Sequence, residues 1–285
     1  MPPMENYCDL HVHSTCSDGT LSPAELVSLA AELGLGAVAL CDHNTVAGLP
    51  EFLAAAADSG VEGVPGIEFS TEYRGGELHI LALFVQPRDY PAVTDRVAQM
   101  LRRKEQSNLA LVEKLNEAGL SLDYAAIQRN AGGTVNRAVI AAEMVRLGYC
   151  TSVKEAFSKW LSEERGLFHP PKRLDALDTI RFIKSIGAVA VLAHPFLNLD
   201  EAGLREFLRQ AVPVGLDGME ALYPKFSGEQ TRLARQIAEE FGILISGGSD
   251  FHGANKPDIQ LGSGRGELRV PMSCLDALRR QSKKF

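Results

Sequence analysis

The sequence predicts an α/β barrel interrupted by a helical insertion, on three observations. Short apolar runs alternate with helical periodicity toward both ends of the chain. Residues 92–160 carry helical periodicity without a clear buried strand. Histidine-bearing motifs close four of the apolar runs. Strand and helix units on both sides of a helical stretch favour one barrel over two independent domains. The 285 residues are enough to bury its core.

Taken in order, residues 7–12 read as a short buried strand. Ser22-Pro23-Ala24-Glu25 follows as a capping box with proline at the first helical position, opening a helix to about residue 33. Residues 36–41 form an apolar run suited to a parallel strand covered on both faces, and 49–59 a second helix. Residues 61–73 and 77–85 are strand-like runs joined by Arg74-Gly75-Gly76, which predicts a hairpin or tight connection. After the helical stretch, apolar strands return at 187–193, 216–222 and 242–246, with helices at 176–185 and 229–241. The domain reading is a discontinuous barrel over 1–91 and 165–285 with a helical cap over 92–164.

Composition narrows the class. With 45% hydrophobic and 23% charged residues the chain reads as an ordinary soluble globular protein. No apolar run approaches the roughly 20 residues that span a bilayer. Met1-Pro2-Pro3-Met4-Glu5 lacks the basic and apolar regions of a signal peptide, so a cytoplasmic location away from membranes is expected. Five scattered cysteines (Cys8, Cys16, Cys41, Cys150, Cys274) without a C-x-x-C pair read as reduced thiols. A formal charge of -7 argues against a groove tracking long nucleic acid but leaves a short nucleotide open. Two or three divalent cations would themselves add roughly four to six positive charges.

The histidines carry the chemistry. His11 and His13 sit two apart at the end of the first strand, where the period of two sends both to one side of the sheet. His43, His194 and the pair Asp250 and His252 follow three further strands. In a parallel barrel those ends converge on one face, where catalytic groups lie. Glu68 and His79 interrupt the two remaining apolar runs, and Asp18 follows His13 closely. One histidine in an apolar run can be a hydrogen-bonded core residue. Five at strand ends, with Asp18, Glu68 and Asp250, would be costly to bury without a cation, so the set points to metal binding. His169, beside the insertion, reads as a surface or substrate-edge residue, and Cys16 as a bystander among harder donors.

The ordered set Asp9-Leu10-His11-Val12-His13, Ser17-Asp18-Gly19, Asp42-His43, Glu68, His79, His194-Pro195 and Ser249-Asp250-Phe251-His252-Gly253 resembles the PHP (polymerase and histidinol phosphatase) superfamily over nearly the whole chain. Its stand-alone metal-dependent phosphoesterases, which include 3',5'-nucleoside bisphosphate phosphatases and relatives acting on short RNA ends, are the nearest in length and insertion. The resemblance implies a distorted (β/α)7 TIM-like barrel with a helical cap and two or three divalent ions. It implies that His11, His13, Glu68 and Asp250 hold the first ion, and that Glu68 bridges to a second held by His79 and His194. Asp18, His43 and His252 would hold the third, Asp18 standing where some relatives have histidine. Imidazole and carboxylate donors suit Mn, Fe or Zn, and Mg less well.

Asn136-Arg137-Ala138-Val139 matches a segment where relatives carry Arg-Pro-His, which implies phosphate binding by Arg137, with Val139 replacing the histidine. Phe226 stands where another pocket histidine is expected. Lys225, Lys172 and Arg173 are further candidates for phosphate, while Arg102-Arg103-Lys104 reads as a solvated helix face. The implied activity is hydrolysis of phosphate monoesters or short phosphodiesters by metal-activated water, on a nucleotide such as a 3',5'-nucleoside bisphosphate or on short 5'-phosphorylated RNA. Asp42 is expected to orient His43 or a neighbouring ligand. Histidinol-phosphate hydrolysis, metal-dependent C–N hydrolysis and a non-catalytic metal module are the competing readings. Oligomeric state is left open.

Overall fold

Runs that are apolar at each position can be buried on both faces, and Ala37–Leu40 and Val189–Leu192 are fully buried strands in the computed structural model. The structure describes residues 6–130, 135–171 and 173–282. The segment 1–5, over which a leader was judged absent, and Lys172 lie outside the described residues. No described helix is long and apolar enough to cross a membrane.

The chain divides into two compact units, Met1–Thr94 with Leu174–Phe285, and Asp95–Arg173. The first holds β1 (Tyr7–Val12), α1 (Pro23–Glu32), β2 (Ala37–Leu40), α2 (Leu49–Ala57), β3 (Glu62–Tyr73) and β4 (Gly76–Leu83). Between its halves run α3 (Tyr90–Glu117), which begins in the first unit, then α4 (Tyr124–Asn130), α5 (Arg137–Arg146) and α6 (Val153–Ala156). The first unit resumes with β5 (Leu174–Asp175), α7 (Ala176–Ser185), β6 (Val189–Leu192), α8 (Glu201–Ala211), β7 (Gly218–Leu222), α9 (Gly228–Phe241), β8 (Leu244–Gly247), β9 (Val270–Pro271) and α10 (Met272–Ser282).

Local chemistry sets the boundaries. The Ser22 hydroxyl accepts from the Glu25 amide at 3.2 Å while the Glu25 carboxylate accepts from the Ser22 amide at 2.7 Å, closing the expected capping box of α1. Arg74 and Gly75 both adopt positive φ (51° and 81°), the twist a two-residue hairpin loop needs, and Tyr73 pairs with Gly76. The sequence reading missed α8 and α10. Yet Leu204, Phe207, Leu208 and Ala211 form one buried face of α8 at helical spacing.

The sheet runs β8-β7-β6-β4-β3-β2-β1-β9, with β5 added on β3, and the family's TIM-like barrel emerges as a nearly closed path of eight strands. Closure comes from the segment after β8. Phe251 bridges Val12 in parallel, the Asp250 amide donates to the His11 carbonyl at 2.8 Å, and the His13 amide donates to the Phe251 carbonyl at 2.9 Å. β4 and the short β9 depart from parallel order, β4 antiparallel to both β3 and β6 and β9 antiparallel to β1. Because β4 runs backwards, its residue His79 pairs with Ser70 on β3 and accepts from the Ala193 amide just past β6, at the end of the barrel where the parallel strands finish. Cys8, Leu10, Ala37, Ala39, Leu81, Val191 and Leu275 belong to the apolar core of this unit. The helical unit has its own core, in which Leu111, Leu115, Ile140, Met144 and Leu161 are buried.

Asp9 ties the closure together. Fully buried, its carboxylate accepts from the Ser249 amide at 2.8 Å and the Gly262 amide at 2.8 Å, with the His11 amide at 3.4 Å. Asp9→Ala should strand these donors and lower stability by about 2–4 kcal/mol, whereas Asp9→Asn, which keeps one acceptor oxygen, should lose less. The urea midpoint of the three proteins is the measurement. Equal midpoints would show that the Asp9 contacts do not hold the barrel closed.

Candidate metal centre

Glu68 lies just beyond the part of β3 that pairs in parallel with β2, fully buried, and five imidazoles approach its two oxygens. Oε1 is 2.9 Å from His79 Nδ1 and 3.0 Å from His194 Nε2. Oε2 is 3.2 Å from His11 Nε2, 3.3 Å from His13 Nε2 and 3.0 Å from His43 Nδ1. Asp250 Oδ1 lies 3.3 Å from His13 Nε2, and His252 Nε2 lies 3.3 Å from Asp18 Oδ1. The nine residues singled out from the sequence therefore meet at one end of the barrel. Ligand atoms gather in three overlapping groups: His11, His13 and Asp250; His43, Glu68 and His79; and His13, Asp18, His43 and His252.

The donor set suits cations. His11 Nε2 and His13 Nε2 face one another at 3.0 Å, a separation that calls for a proton or a metal between or beside the two lone pairs. Glu68 Oε2, His13 Nδ1 and His43 Nδ1 are buried without a hydrogen-bond partner. Buried polar atoms left in this way are expensive, and here they lie within one cluster. His11 Nδ1 is engaged by Glu220 Oε1 at 2.9 Å and His252 Nδ1 by the Asp250 carbonyl at 2.9 Å, which orients both rings with each Nε2 directed at the cluster.

Burial and the neighbouring carboxylates pull these groups in opposite directions. Burial disfavours a charged His11, but Glu220 and Glu68 outweigh it and hold this imidazole well above its usual range. Burial likewise opposes the ionised form of Glu68, yet His11, His194 and His79 hold it well below the usual carboxylate range. His79 donates through both ring nitrogens, to Glu68 at 2.9 Å and Glu77 at 3.2 Å. Those carboxylates overcome its burial and raise it to about 9. His13, with burial dominant, is pushed down to about 3, and burial also lowers His43.

The backbone is bent to bring these groups together. Asn44, His194 and Asp250 adopt positive φ (53°, 27° and 56°), a region costly for residues with a Cβ. Each is pinned through its own amide: Asn44 to the Glu68 carbonyl at 2.9 Å, His194 to Glu220 Oε2 at 2.7 Å, and Asp250 to the His11 carbonyl at 2.8 Å. A Cβ on Gly248 would meet the His11 Cβ and lie 2.6 Å from its backbone nitrogen, so only glycine lets β8 pass this close to β1.

Several functional neighbours escaped the sequence reading. Glu220 joins His11 to the His194 backbone, and its signal was available, since it is a carboxylate interrupting an apolar strand in the same manner as Glu68. Tyr223 and Lys256 both donate to Asp250 Oδ2, at 2.8 and 2.7 Å, and neither had a distinguishing pattern. Asp42 does not orient His43 by a hydrogen bond. Its carboxylate accepts instead from the Ser14 amide at 2.7 Å, the Ser14 hydroxyl at 2.6 Å and the Ser17 hydroxyl at 2.6 Å, and so shapes the loop that carries Asp18.

A cleft of about 260 Å³ opens onto the cluster, with Lys225, Lys256 and Asn198 beside His43, His79 and His194. Phe226 lies in an aromatic row, 5.1 Å from Tyr223 and 5.3 Å from Phe196, and Tyr223 is in turn 5.5 Å from His194. Arg137 belongs to the helical unit, where its guanidinium stacks 4.1 Å from the Phe168 ring centroid and donates to the Leu161 carbonyl at 3.3 Å. Val139 packs against the core of that unit, and His169 is exposed there. All five cysteines are free, with Cys16 exposed.

The family model for the PHP domain matches residues 9–159. The chain is 34% identical over 245 residues to a 5'-3' exoribonuclease of Haemophilus influenzae, covering 86% of this chain and 89% of that protein. It is 28% identical to a 3',5'-nucleoside bisphosphate phosphatase of Chromobacterium violaceum over 86% of each chain. Among solved structures, one from Bifidobacterium adolescentis assigned as a metal-dependent phosphoesterase superposes with a TM-score of 0.69 at 26% identity, covering 96% of each chain.

Removing the Asp42 carboxylate should free the loop without dismantling the barrel. In Asp42→Ala, amide exchange at residues 14–18 should accelerate by about tenfold or more, the scale of a lost hydrogen bond to a charged acceptor, while β6 and β7 keep their protection. Hydrogen exchange followed by mass spectrometry reads this directly. Unchanged exchange across the loop would refute the role given to Asp42.

Proposed function

The chain belongs to the PHP domain family as a metal-dependent phosphoesterase, and from that premise we propose that it hydrolyses phosphoesters of nucleotides, with short 5'-phosphorylated RNA and 3',5'-nucleoside bisphosphates as substrates. The observation that carries this reading is the Glu68 carboxylate shared among five imidazoles at the floor of a cleft edged by Lys225 and Lys256. The relatives named above supply the nucleotide class. The aromatic row of Tyr223, Phe226 and Phe196 supports it, since nucleobases stack on such faces.

In this reading His11, His13, Asp250 and Glu68 would hold one divalent cation, and Glu68 would share a second with His79 and His194. Asp18, His43 and His252 would hold a third. The division of contacts between the two Glu68 oxygens supports the bridging role, and the imidazole-rich set favours Mn, Fe or Zn. Divalent ions bound to this set would supply acidification of a water and neutralisation of phosphoryl charge. The protein's own part is to fix the ligands, through Glu220 on His11 and the Asp250 carbonyl on His252, and to draw phosphate inward with Lys225 and Lys256. No side-chain nucleophile is required.

The deciding assay follows product release from adenosine 3',5'-bisphosphate, short 5'-phosphorylated RNA, histidinol phosphate and an aryl phosphate with Mn-loaded protein. The first two should be turned over best, and His11→Ala or Asp250→Ala should lower the rate by about 10²- to 10³-fold. Preference for histidinol phosphate, or silence toward nucleotides from protein shown to contain metal, would overturn the assignment.

Metal uptake should also depend on pH. His79 has a raised pKa of about 9 in the metal-free site, so its proton is present at neutral pH and must leave before the nitrogen can ligate. Apparent affinity for Mn should therefore climb as pH rises from 7 and level off above about 9. Calorimetry in buffers of different ionisation heat should show release of about one proton or more per protein near pH 7.5. Binding without proton release would contradict the raised pKa of His79.

A further inference from the structure

The two oxygens of Asp250 face different surroundings. Oδ1 is turned to the histidines, 3.3 Å from His13 Nε2, 3.4 Å from His252 Nδ1 and 3.9 Å from His11 Nε2. Oδ2 accepts from the Tyr223 hydroxyl at 2.8 Å and from Lys256 Nζ at 2.7 Å. A carboxylate oxygen offers about two lone-pair positions, and two donors fill them. The carboxylate has little freedom to turn. Its backbone is pinned to the His11 carbonyl, and Tyr223 is buried between the rings of His194 and Phe226.

We propose that Tyr223 and Lys256 clamp Asp250 into one-oxygen coordination and so determine which cation the first position accepts. The inference rests on the metal-binding reading of the cluster. Calcium takes six to eight oxygen ligands and commonly uses carboxylates through both oxygens, whereas Mn, Fe and Zn accept fewer ligands and tolerate imidazole. For Asp250 to offer both oxygens it would have to give up a buried phenol hydrogen bond and a charge-assisted one. Glu68 cannot compensate, because each of its oxygens faces a different set of histidines. The clamp therefore works against calcium while leaving the imidazole-bound transition metals in place. Lys256 and Tyr223 are positioning residues in this scheme, acting through Asp250.

Removing the Lys256 ammonium also removes a positive charge near the site, which raises the affinity of every divalent cation alike. The ratio of calcium to manganese affinity isolates the clamp from that charge effect. Titration calorimetry with each ion should be run on the native protein, Lys256→Met, Tyr223→Phe, the double variant and Lys256→Arg. The double variant should raise the calcium-to-manganese affinity ratio by about tenfold, the scale of outer-shell effects on metal sites. Single variants should fall between, and Lys256→Arg, which keeps a charged donor, should stay near the native ratio. An unchanged ratio in the double variant, with its circular dichroism preserved, would overturn the clamp. A manganese-loaded native structure with both Asp250 oxygens on the ion would overturn it too. Should Tyr223→Phe fail to fold, Lys256→Met decides alone, since the Lys256 side chain is partly solvent-exposed. Native protein that binds no manganese would instead bring down the metal reading and the clamp with it.

Discussion

A fully buried carboxylate touching five imidazoles is the constraint around which the barrel is arranged. An isolated anion at the Glu68 position would be prohibitively costly to desolvate. It is tolerable because β1, β2, β4 and β6 each end or begin with a histidine at that point, and neighbouring carboxylates favour the protonated forms of His11 and His79. Were these groups to ligate a cation, they would first have to release those protons.

Convergence on Glu68 demands irregular backbone. The β1–β2 ladder shifts register between Asp9 and Val12, and the β7–β8 ladder between Glu220 and Leu222. Cys8 and Leu10 join the apolar core before the first shift is complete, whereas His11 and His13 join the metal cluster; Leu222 joins the core and Glu220 the cluster. Such irregularities re-aim side chains. Asn44, His194 and Asp250, with positive φ beside the cluster, belong to the same pattern. Each is held by an amide hydrogen bond that ends on Glu68, Glu220 or His11, so side-chain placement and backbone distortion reinforce one another.

Much of this was legible in the sequence because it is written in period and residue type. The apolar runs at 36–41 and 187–193, the capping box at Ser22 and the Arg74-Gly75 turn each depend on local chemistry, and each appears where that chemistry put it. The histidines were readable because polar groups at strand ends are anomalous unless they share a purpose. Tyr223 and Lys256 were not, since Tyr223 reaches Asp250 across 27 residues only once β7 and β8 lie side by side, and Lys256 reaches it through an irregular turn six residues on that carries no periodic signal. For Asp42 two partners were open, His43 or a neighbouring ligand, and the hydrogen bonds run to the loop that carries Asp18 rather than to His43, because nothing in Cys41-Asp42-His43 reveals that the loop 14–18 folds back over it.

The outer residues of the cleft answer to weaker constraints than the metal wall. Glu68, His11 and His194 are fixed by strands, buried, and cross-linked through Glu220, so altering any one disturbs several others. Lys225 and Phe226 lie on the connection between β7 and α9, and Lys256 on the segment after β8, where substitution disturbs less of the fold. A barrel of this construction can therefore keep its hydrolytic chemistry while its substrate changes through a few loop positions. Phe226, at a position where the family resemblance led to the expectation of histidine, lies on one of these connections and sets an apolar face against Tyr223 and Phe196. Such a face offers stacking where a histidine would offer a titratable hydrogen bond.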